Sequence, residues 1–338
     1  MTAPRSFVHP HRGTVQCPAA PLLTAHLPGH DRRATAPLAG HAPRGLPVQP
    51  SGNQGILAAT TYLDLDGTAV GIAIAAPTHL EDLARKTLEQ WTGALRTRRV
   101  LVPSSETCPA GRATEGGGSR TCPKAAAAQG AVRHFLNRQD TVLLLGSGPV
   151  HLTGHTGPVI AIPDPAAAHR LRIPDPERLS FVLQPCTIVD EITPILRVLR
   201  SRFPLLRGQH PDQWCYTASD ARQGADAAAQ ASDLLLNLST PPAPAERFSD
   251  MAVRNVRTLS DIRAADLACA ATIAIVHSPP ADPSAAERPW VSAAGLVEIL
   301  SGLGPLSVVR HRARTTVSTD IYERVAPADG PIGRQNPT

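Results

Sequence analysis

The chain has 338 residues, of which 42% are hydrophobic and 18% are charged, a composition typical of globular proteins. This length supports two or three compact lobes, which excludes a disulfide-stabilised mini-protein. The longest apolar runs are far shorter than the roughly 20 residues of a membrane-spanning helix, so no membrane association is predicted. The net charge of +5 is spread along the chain and only 3% of the residues are aromatic, which argues against nucleic-acid binding.

The first third of the chain is predicted to contain an irregular segment and a small α/β module. Residues 1–52 are rich in Pro, Gly, His and Arg and show no sustained period, so we predict irregular structure there. No apolar stretch of the secretory type follows the first basic residues, and we therefore expect a cytoplasmic protein. In residues 53–120 we predict two strands around the turn Asp66-Gly67, a helix and a third strand, ending in a loop that carries Cys108.

An internal repeat is the most informative feature of the rest of the chain. In the first copy Cys122 precedes a helix and Asp140 precedes an apolar strand, whereas Cys215 and Asp233 hold the same places in the second copy. The cysteine and the aspartate are 18 residues apart in both copies. We therefore predict a first Cys–helix–strand lobe over residues 121–205, with strands at 141–145, 159–162 and 179–183. A second such lobe with a closing α/β unit is predicted over 206–315, before a tail over 316–338.

Strands that alternate with helices of this length predict an α/β fold with mostly parallel sheets. The repeat predicts that the lobes are pseudo-symmetric around a central cysteine site, with the N-terminal part as an extension. A cysteine at a helix start is favoured as a thiolate by unpaired backbone N–H groups and by the helix dipole. Thiolates bind iron or zinc, and none of the six cysteines forms a C-x-x-C pair. The alternative is that Cys122 and Cys215 are small apolar residues that fill space beside a sheet.

Several segments resemble motifs of one known family. They are Thr121-Cys122-Pro123, the strand 141–146, the loop 152–157, Arg202-Phe203-Pro204, Trp214-Cys215-Tyr216-Thr217 with Arg222-Gln223, and Asp233-Leu234-Leu235-Leu236 with Ser239 and Arg247. These segments are similar to the LytB/IspH-type 4-hydroxy-3-methylbut-2-enyl diphosphate reductases, over roughly residues 97–310. The Cys-Tyr-Thr and Arg-Gln match with its helix and strand is the most specific part.

The resemblance implies a [4Fe–4S] cluster held by three cysteines, with one iron left open for the substrate hydroxyl. Cys122 and Cys215 match two of the ligand positions, and Cys108 is the candidate for the third. The family reduces an allylic diphosphate with electrons from a ferredoxin- or flavodoxin-type donor. The resemblance therefore implies an iron–sulfur oxidoreductase of isoprenoid biosynthesis that yields isopentenyl or dimethylallyl diphosphate.

The same resemblance suggests the substrate-side residues and shows where this chain departs from the family. His151 falls where the family has its proton-relay acid, and an imidazole can donate a proton near neutral pH. The candidates for substrate binding are Ser147, Ser239, Arg247 and Ser284. However, the family's Ser-Ser-Asn triplet, which holds the diphosphate, reads Pro242-Ala243-Pro244 here, and these side chains cannot donate hydrogen bonds.

Two functions therefore stay open, and an Arg-rich nucleic-acid binder is a third and weaker alternative. One is a diverged reductase that binds an iron–sulfur cluster, and the other is a non-catalytic relative that acts as a regulatory or interaction scaffold. The family likeness favours the first, and the loss of diphosphate donors favours the second. The alternative for His151 is that it is a loop residue without a catalytic role, in a connection rich in Pro and Gly.

Overall fold

The computed structural model describes residues 1–28, 55–103, 123–146, 156–238, 251–277 and 292–315. The chain divides into two compact units, which are described separately. The first unit combines Met1–Ser104 with Gln223–Ala313, and the second combines Ser105–Arg222 with Arg314–Thr338.

The strands of the described residues are β1 (Ser6–His9), β2 (Gly13–Gln16), β3 (Gly55–Leu63), β4 (Ala69–Pro77), β5 (Arg98–Pro103), β6 (Thr141–Leu145), β7 (Val159–Ile162), β8 (Leu179–Leu183), β9 (Arg207–Gly208), β10 (Leu234–Asn237), β11 (Ala252–Asn255), β12 (Thr272–Val276) and β13 (Leu306–His311). The α-helices of the same residues are α1 (Ala20–Ala25), α2 (Glu81–Thr92), α3 (Pro123–Asn137), α4 (Pro165–Arg170), α5 (Val189–Arg202), α6 (Thr217–Gln230), α7 (Ala264–Cys269) and α8 (Ala293–Ser301).

The amino-terminal part of the first unit is a sheet with the strand order β1-β2-β4-β3. Its two hairpins are antiparallel, and β2 meets β4 in a single parallel pair. The predicted turn between β3 and β4 is confirmed, because Gly67 has a φ of 82°, a conformation that glycine adopts without steric cost. The prediction of irregular structure for residues 1–52 is wrong for residues 1–28, which form β1, β2 and α1. Strands of four residues are too short to show a period, although Phe7 and Val15 are buried.

A five-stranded parallel sheet, in the order β11-β10-β12-β5-β13, forms the rest of the first unit. Its two faces are covered by different elements because side chains alternate along each strand. Ala225, Ala228 and Ala229 of α6 cover one face, where they contact Leu235 and Ala274. The other face packs against a larger cluster from α1, α2, α7, α8 and β4.

The second unit contains a four-stranded parallel sheet in the order β7-β6-β8-β9. Helix α3 covers one face through Ala128 and Val132. Helices α4 and α5 cover the other face, where Ile192 and Leu196 pack in the cluster of Phe181. A sheet buried on both faces explains why β6 and β8 are mostly apolar instead of alternating between apolar and polar residues.

The two copies of the repeat have the same strand topology. The strand that follows Asp140, β6, lies between the next two strands along the chain, and so does β10 after Asp233. Each aspartate also ties its strand to a neighbour. Asp140 accepts a hydrogen bond from Ser180 of β8 at 2.5 Å, and Asp233 accepts from the backbone amide of Thr272 in β12 at 2.8 Å. The predicted α/β fold with mostly parallel sheets is thus confirmed, while the central cysteine site stays a prediction.

The compact units follow other boundaries than the predicted ones at 53–120, 121–205 and 206–315. Strand β5 precedes the first copy of the repeat but lies in the sheet of the second copy, between β12 and β13. A division into consecutive segments cannot describe this sheet, since one of its strands comes from a distant part of the chain. Among the described residues, no helix is long and apolar enough to cross a membrane.

Candidate functional site

The sequence-predicted site is represented in the described residues by Cys215 alone. The other predicted residues lie outside the described ranges: Cys108, Cys122, Ser147, His151, Ser239, Arg247 and Ser284. Their assignments therefore stay predictions.

Cys215 lies two residues before the first residue of α6, as the repeat predicts. The residues on either side hold it in place. The indole of Trp214 donates a hydrogen bond to the Gln209 carbonyl at 3.1 Å, and the Tyr216 hydroxyl donates to the Pro211 carbonyl at 3.0 Å. Trp214 is 1% exposed and meets the ring of Phe181 edge-on. The cysteine is thus fixed between two anchored aromatic residues.

A second thiol, that of Cys186, faces Cys215. Their sulfur atoms are 3.8 Å apart. Cys186 follows β8 in a turn, where its φ of 60° places it in the left-handed region. This conformation costs an L-residue about 1–2 kcal/mol relative to the right-handed one, so the surrounding fold must hold it there.

Hydrogen bonds join the segment after Cys186 to the segment after Cys215. The backbone amide of Val189, the first residue of α5, donates to the hydroxyl of the buried Ser219 in α6 at 2.9 Å. On the surface, Arg222 pairs with Glu191 at 2.6 Å. The start of α5 and the start of α6 are therefore linked directly, which keeps the two thiols together.

Cys186 follows the carboxyl end of β8 in the parallel sheet, and the sulfur of Cys215 lies against it. Strands β6 and β8 end in register at Leu145 and Leu183. Gly146 follows β6 with a φ of 91°, and a Cβ on it would lie 2.3 Å from the side chain of Thr187. Thr187 is 6% exposed, and within the described part of the chain its hydroxyl has no hydrogen-bond partner. The carboxyl ends of parallel strands are the usual place of ligand sites in open α/β sheets.

The surroundings of Cys215 favour its thiolate form. The pKa of Cys215 is lowered from 9.0 to about 5, and the hydrogen bond with the Cys186 thiol is the largest cause. Hydrogen bonds with the hydroxyl and the backbone amide of Thr217 act in the same direction, against the opposing effect of burial. Cys17 shows the opposite outcome, because burial in an apolar cluster raises its pKa to about 12. A thiolate is the form of cysteine that ligates metals.

Cys186 was not among the predicted site residues. No C-x-x-C spacing marks it in the sequence, and its place in the site follows from the fold. Cys215 with Cys186 is a two-thiol site, and among the described residues no group of three or more His, Cys, Asp or Glu side chains is placed to hold a metal ion.

The fold and this site define an α/β protein of mostly parallel sheets with a buried cysteine at a helix start. Curated proteins similar to this chain are 4-hydroxy-3-methylbut-2-enyl diphosphate reductases. That of Gluconobacter oxydans is 30% identical over 146 residues, 40% of this chain and 44% of the relative. That of Chromohalobacter salexigens is 26% identical over 200 residues, 54% of this chain and 61% of the relative. The matches thus span less than two thirds of either relative.

A solved structure, the E-1-hydroxy-2-methyl-but-2-enyl-4-diphosphate reductase from Plasmodium falciparum, has a TM-score of 0.40 at 14% identity, covering 60% of this chain and 67% of that one. No protein-family model matches the chain. The predicted resemblance is confirmed: the chain is a distant homologue of the LytB/IspH-type diphosphate reductases.

Proposed function

We propose that the protein is a diverged iron–sulfur reductase that removes the allylic hydroxyl of a diphosphate to give isopentenyl or dimethylallyl diphosphate. The observation that carries the proposal is the buried Cys215, fixed before α6 in a chain that is distantly homologous to such reductases. The reaction consumes two electrons, which a ferredoxin- or flavodoxin-type donor would supply, and protons that convert the leaving hydroxyl to water.

At Cys215, the one proposed ligand among the described residues, the chemistry of the side chain suits an iron–sulfur cluster. Cys215 is 8% exposed and its surroundings favour the thiolate, which is the ligand that iron–sulfur clusters require. We propose Cys122 and Cys108 as the other two ligands. A [4Fe–4S] cluster with three thiolates would supply electrons one at a time and an iron open to the substrate hydroxyl.

The remaining roles belong to residues of this chain outside the described ranges. We assign proton donation to His151, because an imidazole titrates near neutral pH. Ser147, Ser239, Arg247 and Ser284 are the proposed donors to the diphosphate, to which each charge-assisted hydrogen bond contributes roughly 1.5–3 kcal/mol. A reducing cytoplasm suits a function that depends on thiolates.

The test is anaerobic turnover of 4-hydroxy-3-methylbut-2-enyl diphosphate with reduced methyl viologen. The proposal predicts consumption of the substrate by the wild-type protein and its loss in Cys215→Ser. Cys269→Ser is the matched control, since Cys269 is exposed in α7, and it should keep full activity. A protein that carries its full cluster but consumes no substrate would overturn the reductase proposal.

A second function, a non-catalytic scaffold, is favoured by Pro242-Ala243-Pro244, which removes the donors of the family's diphosphate site. Calorimetry with inorganic diphosphate and with the allylic diphosphate distinguishes the two functions. Micromolar affinity for the allylic diphosphate supports the reductase. Absence of binding by the cluster-loaded protein supports the scaffold.

A further inference from the structure

We propose that Cys186 and Cys215 are a reversible dithiol–disulfide pair, and that the disulfide removes the thiol that the proposed function assigns to iron. The pairing itself stands on geometry alone. Its effect on iron rests on the proposed function.

The distance between the two sulfur atoms is the first support. At 3.8 Å the two sulfur atoms are in contact. Forming a disulfide bond of about 2.05 Å requires them to approach each other by less than about 2 Å. The sequence gives no hint of this pairing, because the cysteines are 29 residues apart. Their contact is a product of the fold of the second unit.

The attachment of the two cysteines is the second support. The amide of Val189 donates to Ser219 at 2.9 Å, so the segment after Cys186 is tied to the helix that begins after Cys215. Trp214 and Tyr216 anchor the other side through their hydrogen bonds. Two thiols on linked segments meet at a high effective concentration, which favours an intramolecular disulfide over a bond to a separate molecule.

The unequal exposure of the two thiols assigns their roles. Cys186 is partly exposed and Cys215 is buried, so an oxidant reaches Cys186 first. A hydroperoxide is the co-reactant. The Cys186 sulfur attacks the peroxide oxygen, the O–O bond breaks, and Cys186 becomes a sulfenic acid while an alcohol, or water from hydrogen peroxide, is released. The Cys215 sulfur then forms the S–S bond as the hydroxyl leaves as water.

The overall step balances as two thiols and one hydroperoxide giving one disulfide, one alcohol and one water. A dithiol reductant returns two electrons and two protons by exchange, which restores both thiols. Because the disulfide consumes the Cys215 thiol, cluster loading and oxidation exclude each other at this residue.

Intact-mass and peptide analysis of the full chain tests the pair directly. The reduced protein is treated with stoichiometric hydrogen peroxide, alkylated with maleimide and digested with trypsin, which releases Cys186 in residues 179–197 and Cys215 in residues 208–222. The proposal predicts these two peptides joined, with two fewer maleimide labels per chain, and their separation by dithiothreitol. Recovery of residues 208–222 with Cys215 alkylated, or joined to a different cysteine, overturns it.

Two variants separate this inference from the proposed function. Cys186→Ser should abolish the cross-link, and Cys269→Ser should keep it. Iron loading of the peroxide-treated protein should fall at least tenfold in the wild type and much less in Cys186→Ser. A cross-link in a protein that never binds iron upholds the pair and rejects the reductase. Iron loading of a protein that forms no cross-link rejects the pair and leaves the reductase to the turnover test.

Discussion

The sulfur of Cys186 lies 3.8 Å from that of Cys215, and Cys186 reaches this position from a left-handed turn with a φ of 60°. The turn is strained for any L-residue with a Cβ. We therefore predict that Cys186→Gly is more stable than Cys186→Ala by about 1 kcal/mol, because both lose the thiol and only glycine relieves the strain. Urea unfolding of the two variants measures the difference. Equal midpoints would show that the turn carries no strain.

The buried guanidinium of Arg98 is predicted to be a main stabilising group of the first unit. It is 2% exposed and donates to the carbonyls of Leu303 at 2.9 Å and Leu267 at 3.0 Å, and also to that of Ala94. Burial lowers its pKa to about 10, which leaves it charged at neutral pH. Arg98→Met should cost on the order of 3 kcal/mol, because the carbonyls lose their donors.

Thermal unfolding checks this prediction, with Arg85→Met as the control. Arg85 pairs with Glu81 on the surface of α2 and should change the stability by less than about 0.5 kcal/mol. A loss of similar size in both variants would contradict the structural role of Arg98.

Replacing glycine by alanine is expected to have opposite effects on stability at two positions of the second unit. A Cβ on Gly208 in β9 would lie 2.0 Å from the ring of Phe181, whereas one on Gly130 in α3 would meet no atom of the described residues within 4 Å beyond its own helix backbone. Gly208→Ala should therefore destabilise the unit by about 1–3 kcal/mol through overpacking. Gly130→Ala should stabilise it by about 0.5–1 kcal/mol through helix propensity. Chemical denaturation of both variants provides the comparison. A stabilising effect of Gly208→Ala would contradict the close packing of Gly208 against Phe181.

The pair of Arg254 and Asp266 predicts a pH-dependent contribution to stability. Arg254 donates two hydrogen bonds, at 2.6 and 2.7 Å, and so lowers the pKa of Asp266 below its ordinary value of 3.8. Because the folded pKa is below the unfolded one, the contribution is fully present above about pH 4 and is lost as the pH falls through the lower folded value.

Asp266→Asn should thus lower the free energy of unfolding by about 1 kcal/mol at pH 7 and by much less near pH 2. Unfolding at both values of pH measures this, with Glu81→Gln as the exposed control. If Asp266→Asn lowered the free energy of unfolding equally at both values of pH, the ion pair with Arg254 would not be the source of the stability.

The sequence pattern predicts the buried elements well and the short ones poorly. The strands 141–145, 159–162 and 179–183 are confirmed to the residue, because a sheet covered on both faces leaves long apolar runs between polar turns. Strand β11 and helix α7 were missed. The strand has no fully buried residue and the helix has only six residues, so neither forms a readable period.

The candidate site could be predicted only in part for a different reason. Cys215 stands out because a helix start gives it a local chemical role. The contact with Cys186 depends on how α5 and α6 are linked through Val189 and Ser219, and no local pattern encodes a tertiary contact. A positive φ at a cysteine is likewise set by the surrounding fold and not by the residue.

The central claim, that Cys215 is a ligand of an iron–sulfur cluster, is tested most directly by iron and acid-labile sulfide determination on anaerobically purified protein. About four iron and four sulfide per chain are expected in the wild type and in Cys269→Ala. Cys215→Ala should lose most of its iron and sulfide while circular dichroism shows that the fold is retained. A wild-type protein without iron, or a Cys215→Ala variant with the full content, would contradict the account.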